Sequence, residues 1–461
     1  MNMRLEKDSM GELEVPLDAL YGGNTRRAQL NFPISNLRFG RSFIKSLGLI
    51  KQSAAETNLN LNLIDKKLAE AIINSSQEVI DGDHDNSFVV DIFQTGSGTS
   101  TNMNVNEVIS NISISKLGGK IGSRDPVHPN DHVNKGQSSN DVIPTAIHIA
   151  AAISIKDDLI PSMKILESSL HKKSKEFWEI VKTGRTHLQD ATPIRLGQEF
   201  KGYTGQLQNS IRRIQSALDE LSVLALGGTA VGTGIGMNPE FCGQVIERIG
   251  KKTGINFTET DNHFQSQSTI DSIVSASGNI RSYAVSLMKI ANDIRWLGSG
   301  PRAGIGEIAL PEVQPGSSIM PGKVNPVIAE SITMICAQVM GNDQTVSIAG
   351  QSGNFELNVM MPVAAHNLLE SIEILSTGSR NFSEQCIKGL IATKKGPQMV
   401  NQGLAICTAL APKIGYDKAA YIAHKASESG ETIKVVALRE TQLTSKELDE
   451  ILEPLSMTEP K

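Results

Sequence analysis

Aromatic residues are scarce in this sequence of 461 residues, in which Phe, Tyr and Trp together account for 4% and Trp occupies only 2 positions. A core with so few rings has to be filled by aliphatic and small side chains, which pack well between long helices that approach closely. Cysteine is also rare. The 4 cysteines are far apart and form no CxxC pair, which excludes a disulfide framework and favours reduced, buried thiols.

Charge of either sign is spread evenly along the chain. The 44 basic and 49 acidic residues leave a net charge of −5, and no block of basic residues occurs. This balance argues against a nucleic-acid partner, which usually meets a basic domain. No uncharged apolar run reaches the ~18 residues of a membrane span, and the charged N-terminal residues do not resemble a secretory signal. We therefore expect a cytoplasmic protein without a membrane or nucleic-acid partner.

Proline is missing from three long stretches, 194–238, 240–300 and 327–361. Because Pro disrupts helix interiors, these gaps permit very long helices. Each gap has apolar or aromatic residues at steps of three and four, which indicates a helix with one buried face. In chain order these residues are Leu196, Phe200, Tyr203, Leu207, Ile211, Ile214, Leu218, Leu221 and Ala225, then Ile280, Ala284, Leu287, Ala291, Ile294 and Leu297, then Ile328, Ile332, Ile335 and Val339. A further helical stretch over 142–175 is expected to be interrupted near Pro161.

These patterns predict a mainly all-α fold around a central bundle of four or five long antiparallel helices. Shorter helices are expected at Phe43–Asn60 and Ile64–Asp81, and a helix stop and restart at 414–417. Helices this long leave apolar surface for a partner, so we expect a homo-oligomer. The length suits about three domains. The predicted helical domains are 1–137, 138–393 and 394–461.

Five segments between the helical stretches are rich in Gly, Ser, Thr, Asn and His. They are Gln94–Asn104, His128–Asp141, Thr183–Asp190, Gly227–Gly236 and Gly316–Pro326. Gly and Ser in a single such loop often do no more than end a helix. Five of them together offer many hydroxyls, amides and backbone N–H groups, which suits a small anion with several oxygens.

Standard motifs for phosphate and metal ions are not met. The segment from Gly316 to Lys323 resembles a phosphate-binding loop, but its spacing is one residue too long and Val324 replaces the Ser or Thr that holds magnesium. The sequence has no HExxH motif and no cysteine in ligand spacing with a histidine. We therefore expect no metal site.

The segment Gly316–Pro326 carries the densest set of reactive groups. Its glycines permit unusual backbone angles, and Ser317 and Ser318 supply hydroxyl oxygens. Lys323 adds a fixed positive charge and Asn325 a bidentate amide. This combination predicts a flexible loop that binds and acts on an anion.

A histidine and a carboxylate complete the candidate machinery. His187 follows Thr186 in another of the polar loops, and Glu330 lies near the start of a predicted helix, five residues after Asn325. A histidine oriented by a carboxylate is an effective general acid or base near neutral pH. We therefore expect His187 and Glu330 to act together.

The segment Gly316–Pro326 resembles the signature loop of the fumarase/aspartase superfamily. Other parts of the chain are more specifically similar to class II fumarases, and the resemblance extends over essentially all 461 residues. The similar blocks are 6–11 (EKDSMG), 185–200 (RTHLQDATPIRLGQEF), 227–234 (GGTAVGTG), 288–301 (MKIANDIRWLGSGP), 333–343 (TMICAQVMGND) and 354–359 (NFELNV).

The resemblance implies the reversible hydration of fumarate to (S)-malate in the tricarboxylic acid cycle, by anti addition and elimination through an aci-carboxylate carbanion. It implies that Ser317 removes the proton from C3 of malate. It implies that His187, with Glu330 as its charge-relay partner, handles the leaving hydroxyl directly or through water. The substrate-binding residues it implies are Ser97, Gly98, Thr99, Ser138, Ser139, Asn140, Thr186, Ser318, Lys323, Val324 and Asn325.

The resemblance also implies a second, non-catalytic dicarboxylate site and a particular assembly. The second site would comprise His128, Pro129, Asn130 and Asp131. Some fumarases have an arginine three residues before the histidine of that site, where this chain has Asp125 with Arg124 beside it. The implied assembly is a homotetramer whose central bundle is shared, with three chains contributing to each active site and no cofactor required.

Two alternatives have to be weighed against hydration of fumarate. Aspartate ammonia-lyases share the fold and the signature loop, but they typically have Thr-Asn-Asp at 139–141 and Leu-Glu-Leu-Asn at 355–358, where this chain reads SND and FELN. The sequence at 184–189 occurs in both groups. The second alternative is a non-catalytic helical scaffold, which would have no need of Ser317, His187 or Lys323.

Overall fold

The computed structural model describes residues 2–8, 10–316 and 318–460. Over these residues the chain forms seventeen α-helices and ten short strands, and the strands pair into five two-stranded sheets. Helix accounts for 62% and strand for 8%. The prediction of a mainly all-α fold is therefore confirmed.

The helices and strands have the following bounds. The helices are α1 Gly23–Asn31, α2 Arg41–Asn60, α3 Lys66–Asp81, α4 Thr99–Lys116, α5 Ser139–Ser154, α6 Ile160–Glu176, α7 Leu196–Leu221, α8 Phe241–Thr253, α9 His263–Ser268, α10 Asp271–Leu297, α11 Val327–Gly350, α12 Met361–Gln385, α13 Lys395–Val400, α14 Ala411–Ile414, α15 Tyr416–Ser429, α16 Ile433–Glu440 and α17 Ser445–Ile451. The strands are β1 Met3–Asp8, β2 Gly11–Pro16, β3 Val181–Thr186, β4 Gln189–Arg195, β5 Val223–Leu224, β6 Thr258–Glu259, β7 Ile308–Ala309, β8 Gly353–Asn354, β9 Leu357–Asn358 and β10 Ile391–Ala392.

The three proline-free stretches contain the long helices that the patterns predicted. Helices α7, α10 and α11 have 26, 27 and 24 residues. All six residues of the α10 pattern are buried, and most of the α7 pattern is buried as well. The last residue of the α7 pattern, Ala225, was wrongly expected to be helical, because α7 ends at Leu221 and strand β5 precedes Ala225. The predicted helices at 43–60 and 64–81 correspond to α2 and α3. A buried face of aliphatic residues, rather than helix propensity alone, fixes these elements.

The helical stretch over 142–175 is interrupted close to Pro161, as predicted. Helix α5 ends at Ser154, a π-helical turn covers Ile155–Leu159, and α6 then runs on to Glu176. Pro161 is the second residue of α6 and follows the π-helical turn almost directly.

Helix ends in this chain follow ordinary capping rules. The Asp65 side chain accepts hydrogen bonds from the first turn of α3, and Gly82 ends that helix with a left-handed backbone. At 414–417 the structure confirms the predicted stop and restart, because α14 ends at Ile414 and α15 begins at Tyr416.

The described residues form two compact units. The first takes its residues from 1–161, 212–284 and 337–376, and the second from 162–211, 285–336 and 377–461. In the first unit α2 packs against α3, α5 and α8, and α3 packs against α4. In the second unit strand β4 packs against two 3₁₀ segments of the C-terminal region, Leu404–Leu410 and Pro454–Met457. The three predicted domains stay a prediction, since these units are assembled from separate parts of the chain.

Polar contacts join the long helices within each unit. In the first unit the Ser277 hydroxyl of α10 donates to Asp343 of α11 at 2.7 Å. In the second, Ser169 of α6 and Ser383 of α12 are hydrogen-bonded at 2.8 Å between buried hydroxyls. Buried polar groups that find a partner keep neighbouring helices in one register.

The C-terminal region has an apolar cluster of its own. Its buried members come from α15, α16, α17 and the preceding 3₁₀ segment, and are Ile406, Leu410, Ala419, Ile422, Ala426, Ile433, Val436, Ala437, Leu448 and Leu452. All ten lie within 406–452, so a single continuous part of the chain supplies this cluster.

The cysteines carry free thiols, as predicted. Cys242, Cys336 and Cys386 are buried and Cys407 is half-buried. Burial raises the pKa of Cys336 and of Cys386 to about 12, and it also raises the pKa of Cys242 and Cys407. Among the residues described, no helix combines the length and the apolar composition that a bilayer crossing requires.

Candidate active site

Two of the predicted binding segments meet where α4 and α5 begin. Gly98 directly precedes α4, whose first residue is Thr99, and Ser138 directly precedes α5, whose first residue is Ser139. The hydroxyls of Thr99 and Ser139 are hydrogen-bonded at 2.6 Å, and that of Ser97 lies 2.7 Å from Thr99. Three hydroxyls thus form a line beside two helix N-termini, where backbone N–H groups favour an anion such as a carboxylate.

Gly98 is needed for this meeting of the two helices. Its φ angle of 74° is left-handed, and an added Cβ would lie 2.9 Å from the side chain of Ile143 on α5. Only glycine permits both the backbone turn into α4 and the close approach of α5.

A buried carboxylate ties the start of α5 to the segment 227–230, another of the polar loops. Asp141 is fully buried and accepts a hydrogen bond from the backbone N–H of Ser138 at 3.0 Å. Its second oxygen accepts from two backbone N–H groups of the segment 227–230, at 3.1 and 3.0 Å. The Asn140 side chain donates to a carbonyl of the same segment at 2.8 Å. Binding residues 138–140 are thereby held in one position.

A buried lysine supports the preceding turn. Lys51 donates to the side-chain oxygens of Asn134 and Gln137 at 2.8 and 2.9 Å. Burial lowers the pKa of Lys51 to about 7, although the negative charge of Asp141 acts in the opposite direction. Burial also raises the pKa of Asp141, against the backbone hydrogen bonds that it accepts.

Neither Asp141 nor Lys51 was predicted from the sequence as a residue that supports the site. For Asp141 a signal was present, because Ser138 and Asp141 have the spacing of a capping box, and the structure shows both of its hydrogen bonds. For Lys51 there was none, since its partners lie more than eighty residues away along the chain.

His187 stands at the tip of a β-hairpin. Strands β3 and β4 pair up to Thr186 and Gln189, which leaves His187 and Leu188 as a two-residue turn. Their φ angles are 57° and 60°, the left-handed values of a type I′ turn that Asn-Gly normally supplies. Non-glycine residues in this conformation cost about 1 kcal/mol or more each, so the surrounding structure has to hold the turn. Thr186 and His187 are both exposed.

An open cavity of about 570 Å³ lies beside this hairpin, and Thr186 is among its lining residues. Charged groups from neighbouring helices also line it, including Glu199 of α7 and Lys289 and Asp293 of α10. Burial raises the pKa of Glu199, although the nearby positive charge of Lys182 acts in the opposite direction. The hairpin therefore borders a polar, water-accessible space.

Ser317, the predicted base, lies outside the described residues, but the loop around it is described. Ser318, Lys323 and Val324 are exposed, and the Asn325 amide donates to the carbonyl oxygen of Gly316. That bond closes the loop on itself, so the two residues at its ends are fixed next to each other.

Replacing Gly316 by alanine is expected to lower kcat about 100-fold, because misplacing reacting groups by about 1 Å has that effect. A Cβ at this position would overlap the carbonyl oxygen of Lys323, so the loop could not keep its closed path. Steady-state kinetics of Gly316→Ala would measure the loss. Gly243→Ala on α8 is the matched control, because nothing lies within 4 Å of its added Cβ. Equal activity of the two variants would contradict the prediction.

His187 and Glu330 are not joined in the described part of the chain. Glu330 lies in the first turn of α11 and is half-buried, and its backbone carbonyl accepts from the Thr333 hydroxyl at 2.7 Å. No hydrogen bond or ion pair between His187 and Glu330 occurs among the described residues. Their predicted partnership stays a prediction.

The predicted second site forms one compact π-helical turn, Pro129–Val133. His128 caps it, because its Nδ1 accepts from the backbone N–H groups of Asn130 and Asp131 at 3.3 and 3.2 Å. The backbone N–H of His128 in turn donates to Nδ1 of the His132 side chain at 2.8 Å. Burial lowers the pKa of His132, although the negative charge of Asp131 acts in the opposite direction. The four predicted residues are therefore together, with Asn130 and Asp131 exposed.

Comparison with known proteins gives consistent results over the whole chain. A family model described as lyase matches residues 11–341, and one described as fumarase C C-terminus matches residues 406–459. Fumarate hydratase class II 2 from Bradyrhizobium diazoefficiens is 50% identical over 99% of this chain and 97% of its own. A mitochondrial fumarate hydratase from Rhizopus oryzae is 50% identical over 99% of this chain and 93% of its own. The solved structure of a class II fumarase from Schistosoma mansoni superposes with a TM-score of 0.96 at 40% identity, over 99% of both chains.

Proposed function

This chain belongs to the class II fumarases, and we propose that it is a fumarate hydratase, which interconverts fumarate and (S)-malate. The observation that carries the proposal is 50% identity to a curated fumarate hydratase over 99% of the chain, together with the match to the fumarase C-terminus. Both findings favour a hydro-lyase over the alternative, an aspartate ammonia-lyase.

The proposed mechanism needs a proton acceptor, a group for the hydroxyl and a site for the charge that develops. We assign Ser317 to the proton at C3 of malate, and His187 with Glu330 to the leaving hydroxyl. Removing a proton next to a carboxylate produces a doubly charged aci-carboxylate. The positive charge of Lys323 and the amide of Asn325 would stabilise that species where it forms. These residues need no metal or other cofactor for this chemistry.

We assign dicarboxylate binding to two groups of residues: the hydroxyls at the start of α4 and α5, and the turn at 128–131. The line of hydroxyls at Ser97, Thr99 and Ser139 supports binding of a carboxylate at the start of α4 and α5. The compact turn at 128–131 supports a second dicarboxylate site, with Asp125 in the place of the arginine that some relatives have.

A homotetramer with active sites shared between three chains is part of the proposal. Thr186, His187, Ser318 and Lys323 are all exposed in the single chain. A reaction that develops charge is favoured by exclusion of water, so partner chains have to cover these residues. We also assign the chain to the cytoplasm and the tricarboxylic acid cycle, and we retain the division at 1–137, 138–393 and 394–461. The C-terminal cluster, whose buried members all lie within 406–452, supports the last of these boundaries.

Purified protein is expected to hydrate fumarate at a kcat above about 1 s⁻¹, the lower end of the usual range for enzymes. Loss of the ultraviolet absorbance of fumarate measures this reaction directly. Aspartate serves as the control substrate, from which no ammonia should be released. Ammonia release without hydration would identify an aspartate ammonia-lyase, and the absence of both activities would favour a scaffold.

A further inference from the structure

The turn that presents His187 needs an anchor, because two non-glycine residues occupy its left-handed positions. The tip itself is exposed and makes little packing contact, with Leu188 64% accessible. The hairpin therefore has to be held from its base. The inward-pointing side chains of strand β3 show which residue holds the hairpin.

Two cations of β3 converge on one buried carboxylate. Glu307 is 3% exposed, and its Oε1 accepts from Nη2 of Arg185 at 2.8 Å. Its Oε2 lies 2.9 Å from Nζ of Lys182, whose side chain is 1% exposed and also pairs with Glu199 at 2.8 Å. Arg185 stands only two residues before His187. Glu307 thus fixes the strand at two points just below the turn.

The strand is irregular in a way that makes this double contact possible. Side chains three positions apart point to opposite faces of a regular strand, so Lys182 and Arg185 could not share a partner. The pairing register shifts between Thr183 and Arg185, which is a bulge-like irregularity at Gly184. A Cβ at Gly184 would lie 2.7 Å from the carbonyl oxygen of Thr192, so the irregularity depends on glycine.

Glu307 is itself rigidly held by its backbone. Its N–H donates to the carbonyl of Leu297 at the end of α10, at 2.8 Å, and its carbonyl accepts from the N–H of Thr393 at 2.9 Å. Gly396 of α13 packs over the aliphatic parts of Lys182 and Glu307. Because both its backbone N–H and its carbonyl are hydrogen-bonded, Glu307 has a fixed position, and its carboxylate can hold the hairpin in place.

We propose that Glu307 is a positioning residue for His187, acting through the ion pairs that it forms with Lys182 and Arg185. The ion pairs set the angle at which the hairpin presents the imidazole, and the left-handed turn transmits that angle to the reacting group. The proposal rests on the proposed function, in which His187 handles the hydroxyl of malate. In this proposal Glu307 affects the reaction only through these ion pairs.

The test is a double-mutant comparison of kcat and KM. Glu307→Gln keeps the size of the side chain, but its amide can accept from only one of the two cations. We expect kcat to fall about 10- to 100-fold with KM changed less than about 3-fold, since only the placement of His187 is affected. In a His187→Asn background the same substitution should change kcat less than about 3-fold, because its effect requires the imidazole.

Controls separate this role from a merely structural one. Glu179→Gln is the matched substitution, because Glu179 also pairs with a hairpin arginine, Arg195 at 3.3 Å, yet is exposed. It should leave kcat unchanged. If Glu307→Gln does not fold, Arg185→Gln removes only the outer ion pair and should show the same dependence on His187.

The possible results separate the positioning role of Glu307 from the proposed function of the protein. A loss of kcat from Glu307→Gln that is just as large in the His187→Asn background would overturn the positioning role. So would a rise in KM with kcat retained. Wild-type protein that does not hydrate fumarate would instead refute the proposed function, independently of Glu307. His187→Asn protein with full activity would refute the role assigned to His187, and with it the positioning role of Glu307.

Discussion

Replacing Ser317 by alanine is expected to lower kcat for hydration at least about 1000-fold, while the assembly of the protein stays intact. Positioned proton transfer contributes about 100- to 10,000-fold in enzymes, and no other group of the loop has been assigned that step. The ends of the loop are fixed by the Asn325 amide on the Gly316 carbonyl, so removal of one hydroxyl should leave the loop closed. Fumarate absorbance measures kcat, and native mass measures the assembly.

A serine hydroxyl is a weak base, which makes this prediction demanding. The proton from C3 can be accepted only if the hydroxyl is ionised or passes its own proton onward. The exposed ammonium group of Lys323 in the same loop favours a negatively charged oxygen nearby. Ser318→Ala provides the comparison, because a binding residue should raise KM more than it lowers kcat. Ser317→Ala protein that keeps a tenth of the wild-type kcat would contradict the assignment.

His187→Asn is expected to lower kcat by about 100- to 10,000-fold and to change the dependence of kcat on pH, because an amide cannot transfer the proton that an imidazole can. Asparagine retains hydrogen bonding and tolerates the left-handed backbone of the turn, so the hairpin should keep its shape. The loss then reports proton transfer rather than unfolding.

The pH dependence of kcat from pH 5 to 9 is the decisive measurement for His187. His171→Asn on α6 is the matched control, since His171 is an exposed histidine without an assigned role. Glu330→Gln should also lower kcat, because the relay assigned to His187 needs a carboxylate. An unchanged profile for His187→Asn would remove this histidine from the mechanism.

The long helices could be predicted from sequence because their buried faces leave a regular trace. The α10 pattern, for example, is buried at every one of its six positions. The β3–β4 hairpin left no such trace. Its strands contain Gly184 and Pro193, and its turn carries His-Leu where a sequence rule expects Asn-Gly. Contacts with Glu307 and the C-terminal region stabilise it, and no local pattern records them.

The candidate site was predicted by motif, and its supporting groups were not. Thr99 and Ser139 are forty residues apart, and Asp141 reaches a segment more than eighty residues further on. Such pairs are set by how α4, α5 and the segment 227–230 pack. A single sequence reveals which residues can bind an anion, but the carboxylates and ammonium groups that hold those residues in place act through the folded chain.

Burial of the four thiols matters for a protein that works in the presence of fumarate. Fumarate is an electrophilic alkene, and a thiolate adds across its double bond to form a stable thioether. Burial holds the pKa of Cys336 and Cys386 at about 12, and Cys242 and Cys407 are also shifted upward. Only the ionised thiol is an effective nucleophile, so nearly all of these sulfurs stay protonated at neutral pH. The fold thereby shields the enzyme from alkylation by its own substrate.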